Sequence, residues 1–238
     1  MKINFLTWNM QGAFNDGSDF SSKRSVIYAN LKPEAVNIIA IQEAGSPQSS
    51  PLIKDTESDG TITFKIGREN VQFYCDYCED MLASEDGKRC TTMLLVEKCK
   101  PIIDIAFYTT DLHGGTRPML CADVAFADGS VYTFASKHCI ADSSQSISEL
   151  NGDLKEIKKK TYFVGGDFNC PKYQINFINI KTYSNGKPTQ GPKLSEKVNL
   201  YDYFISNVDV TSSLIYPEVN GIESLLSDHI PARIEFEL

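Results

Sequence analysis

Four stretches of this chain end an apolar run on a side chain able to handle metal or phosphate. They are Thr7-Trp8-Asn9-Met10-Gln11-Gly12, Ile41-Gln42-Glu43-Ala44-Gly45-Ser46, Val164-Gly165-Gly166-Asp167-Phe168-Asn169 and Ser227-Asp228-His229-Ile230-Pro231. They are spread from near the first to near the last of 238 residues. A strand that stops on Asn, Glu or Asp leaves that group at the rim of a sheet, and sites are commonly assembled there from several strand ends and loops. Together the four point to one metal-assisted site for cleaving a phosphodiester.

Each residue suits a part of that chemistry. Glu43 follows Val36-Asn37-Ile38-Ile39-Ala40-Ile41-Gln42, a run apolar enough to be buried on both faces. A carboxylate at its end is a hard oxygen ligand of the kind Mg2+ takes, with water and substrate phosphate completing the shell. Asn9 ends the first run in the same way and suits a phosphate or a metal-bound water. In Gly165-Gly166-Asp167-Phe168-Asn169 the glycines permit a tight turn and close backbone approach. If that segment stays extended, Asp167 and Asn169 share a face, one to hold the attacking water and the other a phosphate oxygen. The chain has three histidines. His138 ends the run from Val131 to Lys137, and His229 precedes the final apolar run with Asp228 beside it. Two imidazoles at strand ends fit acid–base work near neutral pH. His113, in Asp111-Leu112-His113-Gly114-Gly115, is expected to be structural. Arg117, between Thr116 and Pro118, presents a guanidinium that matches phosphate geometry. Asp202, inside Leu200-Tyr201-Asp202-Tyr203-Phe204-Ile205, needs a partner or a metal, because an unpaired buried charge is costly.

The elements that must hold these groups are mostly strands. Strand-like runs cover Ile3–Trp8, Val36–Gln42, Thr61–Ile66, Val71–Asp76, Thr91–Val96, Pro101–Phe107, Met119–Phe126, Ser130–Lys137, Thr161–Val164, Leu200–Ile205 and Ala232–Phe236. Several alternate apolar and polar residues as half-buried strands do, and Asp128-Gly129 signals a hairpin. Two helices are expected, from about Ser22 to Leu31 and from about Ser146 to Lys160. The second carries Glu149 and Asp153 early and Lys158, Lys159 and Lys160 at its end, a polarity that suits the helix dipole. Many strands with few helices predict two packed sheets with helices outside. No repeat or linker divides the chain, so one domain over residues 1–238 is expected.

Composition sets bounds. A formal charge of −8 argues against a broad basic face for nonspecific nucleic-acid binding, but a cluster of carboxylates around a cation is compatible with it. No stretch is long and apolar enough to insert stably in a membrane. The chain enters its first strand at once, without a secretory leader. Seven cysteines is an odd number. Cys75 and Cys78 form a C-x-x-C with Cys90 and Cys99 downstream, so a zinc site or disulfides are conceivable, but buried free thiols are the preferred reading.

The ordered set Trp8-Asn9, Gln42-Glu43, His138, Gly166-Asp167-Phe168-Asn169, Asp202-Tyr203 and Ser227-Asp228-His229 resembles the endonuclease/exonuclease/phosphatase superfamily, of the pancreatic deoxyribonuclease kind. Trp8-Asn9-Met10-Gln11-Gly12, Gln42-Glu43-Ala44-Gly45-Ser46-Pro47 and Gly115-Thr116-Arg117-Pro118 look most like the catalytic B subunit of cytolethal distending toxins. The resemblance implies an α/β fold, a four-layer α/β/β/α sandwich of two mixed sheets flanked by helices. It implies Glu43, Asn9 and Asp202 as holders of a divalent cation (Mg2+, with Mn2+ or Ca2+ possible) or of phosphate. Arg117 and Asn169 would bind the scissile phosphate, and Asp167 would align the water. His138 would hydrogen-bond or protonate the phosphoryl or leaving group, and His229, paired with Asp228, would act as base or stabilise charge. Pancreatic-type relatives also place a glutamate behind the residue matching His138, for which Glu69 is the nearest candidate. The implied activity is a metal-dependent deoxyribonuclease that nicks DNA. A phosphoinositide phosphatase using the same site is the alternative, and a non-catalytic binding subunit is a third reading. The implied partners are DNA, a phosphoinositide lipid and toxin carrier subunits. The implied location is a secreted toxin subunit acting in the target-cell nucleus, with cytoplasmic production the alternative for a chain without a leader.

Overall fold

A computed structural model describes residues 1–11, 17–45, 61–66, 69–79, 91–111, 117–175, 177, 179–184, 186, 189–190, 199–215, 227 and 229–238. Asp228, His113 and Cys90 lie outside the described residues. One seven-stranded sheet holds, in spatial order, β12 (Ser212–Ile215), β13 (Ala232–Glu237), β1 (Lys2–Asn9), β2 (Val36–Gln42), β5 (Thr91–Glu97), β4 (Glu69–Glu79) and β3 (Thr61–Ile66). A six-stranded sheet holds β10 (Lys181–Tyr183), β11 (Asp202–Ser206), β9 (Tyr162–Asp167), β8 (Val131–His138), β7 (Leu120–Phe126) and β6 (Ile102–Thr109).

Each sheet has one parallel pair near its middle, β1 with β2 and β8 with β9, among antiparallel neighbours. A parallel pair needs a crossover, supplied by α1 (Gly17–Ala29) and α2 (Ser143–Ile157). It also brings two strand ends to the same rim. Asn9 stands opposite Gln42, and His138 opposite Asp167, as the last register pairs. Antiparallel β11 starts where β9 stops, so Asp202 pairs with Asp167.

The core has three layers because successive side chains alternate in direction. Between the sheets, Phe5, Ile38, Ala40 and Leu94 meet Leu120, Ala122, Phe134 and Phe163. On the outer face of the first sheet, Leu6, Trp8, Ile39 and Ile41 pack on Val26 and Ile27 of α1. On the outer face of the second, Cys121, Ala135 and Val164 pack on Leu150, Leu154 and Ile157 of α2. Three interfaces make four layers, α/β/β/α, as expected.

Several local expectations change. α1 and α2 begin earlier than predicted. Asp142 caps α2, accepting hydrogen bonds from the Ser144 and Gln145 amides. This places Glu149 and Asp153 in mid-helix, where they turn inward to Lys137 rather than serving the helix dipole. Lys160 lies past the helix and pairs with Asp123 at 2.6 Å. Gly165 and Gly166 form no turn; both lie inside β9. A Cβ on Gly166 would stand 2.1 Å from the Lys137 carbonyl oxygen, so the close-approach half of that expectation is what the backbone requires. The short edge strands β10 and β12 carried no clear signal. Cys75, Cys99, Cys121, Cys139 and Cys170 are free thiols. Among the described residues no helix is long and apolar enough to cross a membrane.

Candidate active site

The strand ends do not run straight off the sheets. Gln11, Glu43 and Asn169, just after β1, β2 and β9, have φ of 52°, 50° and 49°. Non-glycine residues enter this left-handed region at a cost of about 1–2 kcal/mol each. Side chains on the preceding strand ends support two of them. The Asn9 Oδ1 accepts from the Gln11 amide at 3.0 Å, and the Asp167 Oδ1 from the Asn169 amide at 3.1 Å. The segment after Asp167 is therefore turned, not extended, and Asn169 Nδ2 donates to the Cys139 carbonyl at 2.7 Å.

These turns bring the two sheets together at one rim. Asn9 Nδ2 donates to Glu43 Oε1 at 3.2 Å and to Asp167 Oδ2 at 2.9 Å, joining the ends of β1, β2 and β9. His138 Nε2 stands 3.6 Å from Glu43 Oε1 and 3.8 Å from Asp167 Oδ2. Arg117 reaches His138 Nε2 at 2.9 Å and donates to the Cys139 carbonyl at 3.0 Å. His229 places Nδ1 2.8 Å from Asp202 Oδ2 and Nε2 3.7 Å from Asp167 Oδ2. Asn9, Glu43, Arg117, His138, Asp167, Asn169, Asp202 and His229 thus meet at one place. The partner found against His229 is Asp202, which had been expected to serve metal or phosphate. The backbone puts Glu69 at the end of β4 away from the rim. It pairs with Ile66 at the start of β4, whereas the rim end of that strand is Glu79, opposite Thr91. Thr91 marks the rim because its carbonyl accepts from the Ala44 amide at 2.9 Å.

Supporting residues were missed from the sequence. Ser227 Oγ donates to the Asn9 carbonyl at 2.9 Å and accepts from the His229 amide at 3.0 Å. Trp8 Nε1 donates to the His229 carbonyl at 3.2 Å. Gln42 Nε2 crosses between the sheets to Ser136 Oγ at 3.0 Å. Trp8, Gln42 and Ser227 stood in the quoted Trp8-Asn9, Gln42-Glu43 and Ser227-Asp228-His229 segments, but nothing in them indicated these supporting roles.

The electrostatics follow from burial. Asp167 is pushed up to about 6, first by desolvation and next by the neighbouring Asp202 carboxylate, while His229 and Asn9 pull it back. Desolvation, then Arg117, then His229 hold His138 well below the usual imidazole range. His138 is therefore a neutral ring at pH 7, able to accept at Nε2 from Arg117. Asp202 Oδ1 is buried without a hydrogen-bond partner. Ligand atoms of Asp167, Asp202 and His229 lie within 4.8 Å of one another. The Glu43 side chain is 22% exposed, so it opens to solvent where these two aspartates do not. The carboxylates of Glu43, Asp167 and Asp202 are hard oxygen ligands and fit a divalent cation, with His229 a nitrogen ligand within the same cluster.

No family model and no curated protein matches the sequence. Solved structures do. The Haemophilus ducreyi cytolethal distending toxin is 18% identical, with 97% of this chain and 96% of that chain covered at a TM-score of 0.66. D. rerio TDP2, in complex with a single-strand DNA product, is 15% identical over 100% of this chain and 99% of that one, with a TM-score of 0.65. An endonuclease/exonuclease/phosphatase family protein from Bacteroides thetaiotaomicron is 14% identical over 100% and 99%, with a TM-score of 0.64. Along nearly its whole length, then, this chain has the two-sheet α/β/β/α fold of the cytolethal distending toxin, TDP2 and endonuclease/exonuclease/phosphatase proteins.

Proposed function

We propose that the chain is a single catalytic domain of the endonuclease/exonuclease/phosphatase superfamily, a metal-dependent phosphodiesterase that nicks DNA. The observation that carries this is the meeting of the His229–Asp202 pair, Asp167, Asn9, Glu43, His138 and Arg117 at one rim. The single-strand DNA product held by the D. rerio protein of the same fold supports a nucleic-acid substrate.

Glu43 and Asn9 would hold the divalent cation, with Mg2+ the first candidate. When bound, it supplies Lewis-acid stabilisation of charge on the phosphate. The protein groups do the rest. A carboxylate can only accept, so Asp202 fixes the proton of His229 on Nδ1 and leaves Nε2 as the base. Asp167, 3.7 Å from that nitrogen, orients a water in reach of both atoms. The water oxygen attacks phosphorus, its proton passes to His229 Nε2, the P–O bond to the leaving oxygen breaks, that oxygen takes a proton from solvent, and His229 then returns its own to solvent. The products are a phosphate monoester and an alcohol. Arg117 and Asn169 engage the phosphoryl oxygens, where the guanidinium offers a geometric match, and neutral His138 aligns that guanidinium by accepting from it at Nε2.

Plasmid nicking with Mg2+, with and without chelator, tests this. Chelator abolishes nicking, and His138→Ala, Asp167→Ala and His229→Ala each lower it by roughly 10²-fold or more. Glu43→Gln removes the heat of Mg2+ binding in calorimetry. Phosphate release from phosphoinositide headgroups without plasmid nicking would transfer the same site to a lipid substrate and end the DNA reading.

A further inference from the structure

On the opposite face of β8 from His138 lies a buried ionic cluster that the proposed chemistry does not use. Lys137 is fully buried. Its Nζ lies 2.8 Å from Asp153 Oδ2 and 3.1 Å from Glu149 Oε1, both on α2, and it donates to the Arg117 carbonyl. Asp153 Oδ1 accepts from Thr110 Oγ1 at 2.6 Å, and that hydroxyl accepts from the Met119 amide at 3.0 Å. Glu149 Oε2 accepts from the Ile140 amide at 3.4 Å. Through two carboxylates, α2 therefore grips both segments that face the phosphate side of the site, Arg117–Met119 and Lys137–Ile140.

The arrangement closes on itself. Lys137 holds the Arg117 carbonyl, and the Arg117 guanidinium returns to the next residue, His138, and to the Cys139 carbonyl. Apolar residues of similar volume usually serve a buried position at least as well as an ion pair, so a buried triad with one more acid than base is weakly accounted for by stability. Ala135, two residues earlier on the same face, packs in the apolar core as that position ordinarily would. What distinguishes Lys137 is its grip on the main chain of the arginine.

We propose that Lys137, held by Glu149 and Asp153, is a positioning residue of the site. It fixes the backbone at Arg117 so that the guanidinium meets His138 and a phosphate oxygen together. The inference rests on the phosphodiesterase reading for its purpose, but not for its geometry.

Two measurements on the full chain test it, with Lys137→Met as the variant. The first is amide hydrogen exchange in the presence of chelator, which needs no activity. The peptide carrying residues 117–119 exchanges about tenfold faster or more in the variant, while the centres of β1 and β2 keep their protection. The second is a double-mutant cycle on plasmid nicking with Mg2+. Arg117→Ala lowers kcat/KM by about tenfold or more in the native background and by less than about twofold beside Lys137→Met, because the arginine is already misplaced. A merely structural lysine would lower the melting temperature and leave the Arg117→Ala effect undiminished. If Lys137→Met does not fold, Glu149→Gln replaces it, removing one charge while Asp153 still holds the lysine, and selective loosening of the same peptide is expected. Unchanged exchange at residues 117–119, or full additivity with Arg117→Ala, overturns the proposal. A native protein that nicks nothing, with exchange that still responds to Lys137, would instead sink the phosphodiesterase reading and leave the positioning intact.

Discussion

The Asp202 oxygen 2.8 Å from His229 Nδ1 leaves that imidazole one productive tautomer. Buried and held on one side, the ring presents Nε2 towards Asp167 without rotamer freedom to lose. Asp202→Asn tests this at the scale of a single atom. The amide can donate to Nδ1 and so favours the wrong tautomer, with little change in shape. Turnover in plasmid nicking falls by roughly 10²-fold or more while the melting temperature stays near that of the native chain, and adding His229→Ala brings little further loss. Independent, multiplying effects would show that the two do not act as a unit. At this scale the sequence revealed residue types better than pairings. Asn9, Glu43, His138 and Asp167 were marked by ending apolar runs, and His229 by standing just before the last one. The Asp202–His229 pair was not, because 27 positions separate its members and register alone joins them. Lys137 was hidden by the opposite problem. It sits beside His138 in sequence but faces the other side of β8, towards a helix whose acids had been assigned to the dipole.

Elements decide how closely those side chains approach. β9 lies between β8 and β11, with Gly166 opposite both Lys137 and Tyr203. The Lys137 carbonyl occupies the place where a Cβ of residue 166 would go. Gly166→Ala must therefore push backbone against backbone in the strand pair that ends on His138 and Asp167. The expected cost is about 1–3 kcal/mol or more in chemical denaturation, as for overpacked cores, together with a loss of nicking out of proportion to the stability change. A neutral Gly166→Ala would mean that β8 and β9 are further apart than described. The eleven longer strands were legible because β-branched and aromatic residues cluster there and turn residues bound them. β10 and β12, three and four residues long at sheet edges, were not, since neither is long enough to show a period. The turns at Gln11, Glu43 and Asn169 were also silent. They depend on side-chain hydrogen bonds and on the opposite sheet rather than on a glycine.

At the scale of the molecule, the parallel pairs in two sheets deliver four strand ends to one rim, and the result is a dense collection of acids in a buried place. That arrangement opposes folding when no cation is present, and Asp167 shows the sign. Its carboxyl is raised from 3.8 to about 6 by burial and by Asp202. A group raised in the folded state contributes stability that is fully present below its unfolded value and is lost as pH rises through the folded value. For Asp167 that window runs from about pH 4 to somewhat above 6, and ionising it costs about 3 kcal/mol at most, since each unit is worth about 1.4 kcal/mol. Asp167→Asn in chelator should therefore be more stable than the native chain at pH 8. The advantage should shrink through pH 6 and vanish near pH 4, where the native carboxyl is itself protonated. Denaturant melts across that range, with Mg2+ then added to the native chain at pH 8 to offset the repulsion, check both halves. An Asn variant less stable at pH 8 than at pH 4, relative to native, would mean that the ionised carboxylate is already well satisfied by Asn9 and His229. The acidic rim would then have no electrostatic reason to seek a cation.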